Sequence, residues 1–198
     1  MRPRLFVATC AALAIALTSS ACGRDSLTSP EAATSAPSEP SHALLSGLLG
    51  AATSVTPLKR ITPLPTNQTA SATIGILGGV ITLPGAGLTV VVPPLAVSKS
   101  TKFTVTALAG SAVAYDFAPA GIHFTTPLVA TQNLKGTQAQ SGGLINPLAL
   151  SVGYFPDANR ITSVTELLNV NVNLLSQTSV FTIWHFSGYI FASGRSSE

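Results

Sequence analysis

Between Thr69 and Arg195 the chain never sustains an apolar repeat of 3.6 residues. It offers instead short runs rich in Val, Ile, Thr and aromatic residues: GGVITL, GLTVVV, TKFTVTAL, GIHFTT, LVATQNL, LALSVGYF, NVNVNLL and SVFTIWHF. Several alternate with a period of two, which sends successive side chains to opposite faces of a strand. Gly, Pro, Asn and Asp separate the runs, and prolines interrupt most stretches a helix would need. About 125 residues with eight or more short strands predict an all-β fold, a single β-sandwich domain over 69–195 with one buried core. In NVNVNLL the Asn side chains are expected in solvent and the Val side chains against the core.

The chain before this domain has a different character. MRPRLFVATCAALAIALTSSAC places Arg2 and Arg4 ahead of an apolar run from Leu5 to Leu17, followed by small residues up to Cys22. That is the layout of a secretory signal peptide over 1–21. The apolar run is too short for a bilayer core, which needs about 20 helical residues. Ser19 and Ala21 suit ordinary cleavage before Cys22, but a cysteine at this junction followed by a polar stretch also resembles the lipobox of bacterial lipoproteins. Ser19 departs from it, since leucine is usual there. Cys10 would leave with the signal, and Cys22 would then be the sole cysteine, with no disulfide partner. Lipidation at Cys22 is therefore the reading taken, with plain secretion as the alternative. Each buried acyl methylene contributes about 0.8 kcal/mol to anchoring. Gly23 and Arg24 stand where many inner-membrane lipoproteins carry aspartate, so the resemblance implies the outer membrane or the cell surface.

Residues 22–68 read as the lipidated cysteine and a disordered linker, and 196–198 as a tail. GRDSLTSPEAATSAPSEPS and TPLKRITPLPTNQ are rich in Pro, Ser, Thr and Ala and hold few large apolar residues with which to offset chain entropy. Between them ALLSGLLGAATSV is apolar enough for one short helix, but Gly47 and Gly50 weaken it. A sticky piece of linker is the preferred reading.

Charge limits the partners. Charged residues make up 9% of the chain, and removing Arg2 and Arg4 with the signal leaves eight basic against seven acidic residues. Neither a basic stripe for nucleic acid nor an acidic face is visible. His42, His123 and His185 lie far apart in sequence with no cysteine near them, so no zinc site is expected. Asp116, Asp157 and Glu166 are too sparse to predict a carboxylate pair or a calcium loop. PDAN, residues 156–159, is a turn signal, and GTQAQSGG, 136–143, is a loop without the lysine and helix of a phosphate cradle. No cofactor is expected.

Within the domain, GGVITLPGAGLTVVVPPLAVSKSTKFTVTAL, YDFAPAGIHFTTPLVATQNL and HFSGY follow one another in an order that resembles a ZU-five domain, the module named for zonula occludens and uncoordinated proteins. The matching positions are Gly78, Gly79, Val92, Pro93, Pro94, Ala96, Phe117, Pro119, Gly121, Phe124, Pro127 and His185 to Tyr189. Leu95 departs from the pattern, because the family often has glycine there. The ankyrin-type, spectrin-binding and death-domain partners of animal relatives are absent from this chain and do not transfer.

The resemblance also implies a chemical possibility. In some ZU-five proteins a His-Phe-Ser triplet near the domain end is a self-cleavage site, and His185, Phe186 and Ser187 stand in that order here. Ser187 Oγ would attack the Phe186 carbonyl while His185 accepts the hydroxyl proton. Such a shift needs a strained peptide and an oxyanion donor, which a sequence does not display. The plainer reading is preferred: Trp184 and Phe186 fill the core, and His185 and Ser187 hydrogen-bond at a strand end. Function is then expected to be structural, adhesive or recognition work on an envelope protein or glycan, with self-cleavage between Phe186 and Ser187 as the alternative and a hydrolase least favoured.

Overall fold

The computed structural model describes residues 52–195. The expected signal peptide, Cys22, most of the expected linker and the tail lie outside the described residues. Fifteen strands follow in order: β1 (Thr53–Pro57), β2 (Lys59–Leu64), β3 (Gln68–Ile74), β4 (Gly79–Leu83), β5 (Leu88–Val92), β6 (Thr101–Ala107), β7 (Gly110–Ala112), β8 (Ala114–Ala118), β9 (His123–Asn133), β10 (Ser151–Phe155), β11 (Ser163–Val164), β12 (Glu166–Asn169), β13 (Asn171–Asn173), β14 (Thr178–His185) and β15 (Gly188–Arg195). Two 3-10 turns, Pro84–Ala86 and Pro147–Ala149, are the only helical segments among the described residues. No helix there is long and apolar enough to cross a membrane. The fold is all-β, as expected.

The strands build two main antiparallel sheets and a ribbon. The larger sheet runs β11-β1-β15-β8-β6-β3, with β10 also on β15 and β12 on β10; the smaller runs β13-β14-β9-β5-β4; β2 pairs with β7. Period-two alternation turns one face of each sheet inward. Phe103, Val105, Phe117, Tyr189 and Phe191 from the larger sheet bury against Ile81, Val90, Leu128, Phe181 and Ile183 from the smaller. Phe181 meets the Phe191 ring edge-on at 5.4 Å, joining the two layers. Each such side chain contributes about 1.5–3 kcal/mol through burial. β15 is buried on both faces, because Ile190 and Ala192 point the other way into a second cluster with Val55, Phe155 and Val164. That is why its sequence reads GYIFA, an unbroken apolar run.

Four expectations change. First, the linker does not reach Gln68: residues 53–64 form β1 and β2, and Leu58 and Leu64 are buried in the main core. Few apolar residues suffice there, because β1 docks onto β15 and gains its hydrogen bonds from an existing sheet. Second, GIHFTT and LVATQNL are one strand, β9, with Pro127 inside it. Proline offers no N–H to the ladder, and in this region the pairing with β14 slips, from Ile183 facing Leu128 to His185 facing His123. Third, Trp184 is 50% exposed. Phe181 and Ile183 set the inward parity of β14, so Trp184 points out, and Phe186 turns inward only because the strand has ended. Fourth, NVNVNLL keeps its alternation, Asn171 and Asn173 exposed and Val170 and Val172 half-buried, but it is not one strand. Asn169 closes β12 in the larger sheet and Asn171 opens β13 in the smaller.

The turn from β3 to β4 and the exit from β5 meet at Gly78. Its φ is 74°, and a Cβ there would lie 2.2 Å from the Val92 carbonyl oxygen, so only glycine fits. Leu95 adopts φ of 67° and donates its N–H to the Ile76 carbonyl oxygen at 2.8 Å. A side chain in this left-handed conformation costs about 1–2 kcal/mol relative to glycine.

Candidate functional site

β14 ends at His185 and β15 begins at Gly188, so Phe186 and Ser187 carry the chain from the smaller sheet to the larger. The corner is fixed from both sides. Inside, the Phe186 ring packs on Phe103, Phe124 and Phe117 at centroid distances of 4.7, 5.0 and 5.3 Å. Along the backbone, Phe186 N–H donates to the Ile122 carbonyl at 2.9 Å, its own carbonyl accepts from Gly121 N–H at 3.0 Å, and the Ser187 carbonyl accepts from Phe117 N–H at 3.1 Å. Gly188 is required because a Cβ there would lie 1.9 Å from Phe155 Cε2.

His185 is half-buried, with Nε2 3.6 Å from Glu166 Oε2. Its ring lies 4.7 Å from that of Tyr154 and 5.6 Å from that of His123. The Tyr189 hydroxyl donates to the His185 carbonyl at 2.6 Å. Burial, with the charges of Glu166 and Tyr154 added, pushes the Tyr189 pKa far above its ordinary value, so this phenol stays a donor. Ser187 Oγ donates to the Phe155 carbonyl at 3.3 Å. A cleft of about 380 Å³ opens over Gly121, His123, Tyr154, His185, Phe186 and Ser187.

The three residues of the triplet thus share one cleft, and the Phe186 carbonyl accepts one backbone hydrogen bond, from Gly121. His185 and Ser187 are committed to different partners, Glu166 and Phe155, and no hydrogen bond joins them. His123 and His185, distant in sequence, are cross-strand neighbours. Among the described residues no group of three or more His, Cys, Asp and Glu side chains is arranged to hold a metal ion. Asp157 closes the PDAN turn: it accepts from Asn159 N–H at 2.9 Å, and that bond, followed by Arg160, holds its carboxyl below the usual carboxylate range. The GTQAQSGG loop borders a cavity of about 480 Å³ with no charged lining.

A second polar cluster is anchored by Arg60, in the stretch that the sequence reads as linker. Arg60 on β2 is 8% exposed, donates through Nη1 to the Ala112 carbonyl, and places its guanidinium 5.8 Å from the Tyr115 ring centroid. The Tyr115 hydroxyl bonds to Gln132 Oε1 and to the Ala86 carbonyl, the latter at 2.9 Å. Gln132 Nε2 donates to the Ala86 carbonyl at 3.1 Å and the Asn133 carbonyl at 2.8 Å. Burial raises the Tyr115 pKa to about 12, although Arg60 and Gln132 pull it down. No sequence motif marks these residues, because they come together from β2, the Pro84–Ala86 turn, β8 and β9.

No protein-family model matches this chain, and no curated protein matches it. The class of protein is therefore defined by the fold alone: an all-β, sandwich-like domain of antiparallel sheets.

Proposed function

We propose that the chain is an exported, lipid-anchored module of ZU-five type, held at the outer membrane or surface of a bacterial envelope through Cys22 and recognising an envelope protein or glycan. The observation that carries this reading is the outer face of the smaller sheet. None of its five strands contains Asp, Glu, Lys or Arg. Val80, Val91 and Val129 face one another across three neighbouring strands, 54, 42 and 38% exposed. Trp184 stands on the next strand, two residues beyond Thr182, which faces Val129. Single exposed apolar residues are ordinary on a protein surface, but a row continued across strands marks an interaction surface. Thirty residues separate Cys22 from Thr53, and their Pro, Ser, Thr and Ala content suits a tether.

Two measurements test the reading. Metabolic labelling with a lipid analogue should mark the wild type and not Cys22→Ala; label on the variant overturns the anchor. The unanchored Cys22→Ala chain should sediment with washed envelopes, and adding Val91→Lys should weaken that several-fold without loss of stability. Equal sedimentation removes the valine face as the recognition surface.

A second reading rests on the Gly121 N–H bonded to the Phe186 carbonyl. With Ser187 Oγ turned away from Phe155, it would attack that carbonyl as His185 takes the hydroxyl proton. The Phe186–Ser187 C–N bond then breaks, the proton passes from His185 to the Ser187 amine nitrogen, and water hydrolyses the resulting ester to leave a Phe186 carboxylate and a free Ser187 hydroxyl. Intact-mass analysis of denatured protein should then show loss of residues 187–198, abolished by Ser187→Ala. A single uncleaved mass ends this reading.

A further inference from the structure

Buried polar side chains are few in this domain, and they are not scattered. Among the described residues four are buried, Arg60, Gln132, Thr137 and Ser179, and the first three border one cleft of about 240 Å³. Thr62, Gly85 and Lys135 complete much of its wall, and no Asp or Glu lines it. Arg60 takes part in neither of the ion pairs found among the described residues. Its Nε and Nη2 are shut off from water and make no well-formed hydrogen bond, although the guanidinium lies close enough to the Tyr115 hydroxyl to pull its pKa down, while Nη1 is taken by the Ala112 carbonyl. The free pair is the edge of a guanidinium that presents two parallel N–H donors, the fork that matches two oxygens of a carboxylate or phosphoryl group. A buried cation without a counter-charge is unfavourable, and the π face of Tyr115 offsets only part of that cost.

We propose that this cleft is an oxyanion site, in which Arg60 supplies a two-pronged contact and Lys135 a second positive charge. Binding requires one local change. The guanidinium turns its Nε/Nη2 edge into the cleft that its side chain already borders, and Lys135, exposed at the rim, closes on the anion from solvent. Thr62 offers a hydroxyl donor. Gln132, whose amide is fully engaged by Ala86, Asn133 and Tyr115, holds the floor. The absence of carboxylates from the wall selects against cations and favours a carboxylate or a phosphoryl group. The site lies on residues apart from the valine face and the triplet corner, so it stands or falls independently of both.

The test is titration of the mature chain with inorganic phosphate and, separately, with acetate, at ionic strength held constant with sodium chloride, following melting temperature and heat of binding. Saturable stabilisation by phosphate assigns a phosphoryl ligand, and by acetate a carboxylate ligand. Lys135→Ala should weaken binding at least threefold and Lys135→Glu should abolish it, both on a folded protein because the side chain is exposed; Arg60→Gln should reduce it tenfold or more. If neither anion stabilises beyond matched chloride, or if both Lys135 variants bind as the wild type does, the proposal is overturned.

Discussion

The His185 corner and the Arg60 cleft both place polar groups in the interior, and they do so in opposite ways. At the corner the motif residues are paired: Ser187 with the Phe155 carbonyl, Tyr189 with the His185 carbonyl, His185 beside Glu166. In the cleft a guanidinium keeps two nitrogens without partners. The region that a motif advertises is the structurally settled one, and the region that no motif marks holds the unbalanced charge. A recognisable triplet and an energetic anomaly are independent signals.

If the corner is first of all a packing joint, the largest effect should come from its aromatic anchor. Phe186→Ala removes a ring enclosed by three others and should cost about 3–5 kcal/mol, read as a lower denaturation midpoint at unchanged slope. A loss below about 1 kcal/mol would mean that the corner is not a joint.

Alkaline titration probes the cleft next. The Tyr115 pKa is raised in the folded state to about 12 from an ordinary 10, so the unfolded chain releases this proton first. Its contribution is complete below about pH 10 and is lost as pH rises toward 12, amounting to about 2–3 kcal/mol. Tyr115→Phe should flatten part of the fall in stability over that window, and Tyr189, also raised, should account for the remainder. An unchanged profile in Tyr115→Phe would contradict the burial of its hydroxyl.

Arg60→Met should change stability by no more than about 1 kcal/mol in either direction, since removing an uncompensated buried charge offsets the lost bond to Ala112. A large loss would show that the guanidinium is already satisfied, and the contrast between the two regions would collapse. The smallest effect belongs to Glu166→Gln. That carboxylate is half exposed beside His185, so its removal should shift stability by less than about 0.5 kcal/mol. A larger shift would make the pairing at the corner electrostatic as well as steric.

Much of the sandwich was legible because alternation is local. Phe181 and Ile183, or Val90 and Val92, announce their inward face without help from the rest of the chain. β1 and β2 were hidden because Pro57, Pro63 and few apolar residues describe a linker as well as they describe strands that join sheets built elsewhere. Trp184 and Phe186 stand two residues apart, but β14 ends at His185 between them, so they do not share a face. That His185 and Ser187 lie at a strand end is legible from the sequence, but their partners Glu166 and Phe155 come from other strands. Arg60 was invisible as a site, because its burial depends on Tyr115 and Ala112, residues more than fifty positions away.

β15 pairs with β1, β8 and β10 and is buried on both faces. Val55 meets Arg195 in that pairing, so the described domain is tied shut between its first and last strands. Contacts so distant in sequence make for slow folding, since loop closure precedes any gain from pairing. A chain emerging amino end first would hold β1 and β10 without their shared neighbour until nearly all of it had arrived. The same arrangement means that a cut at the corner would leave a bound segment: three sets of ladder bonds would retain β15, and the domain would keep its shape while its backbone was in two pieces.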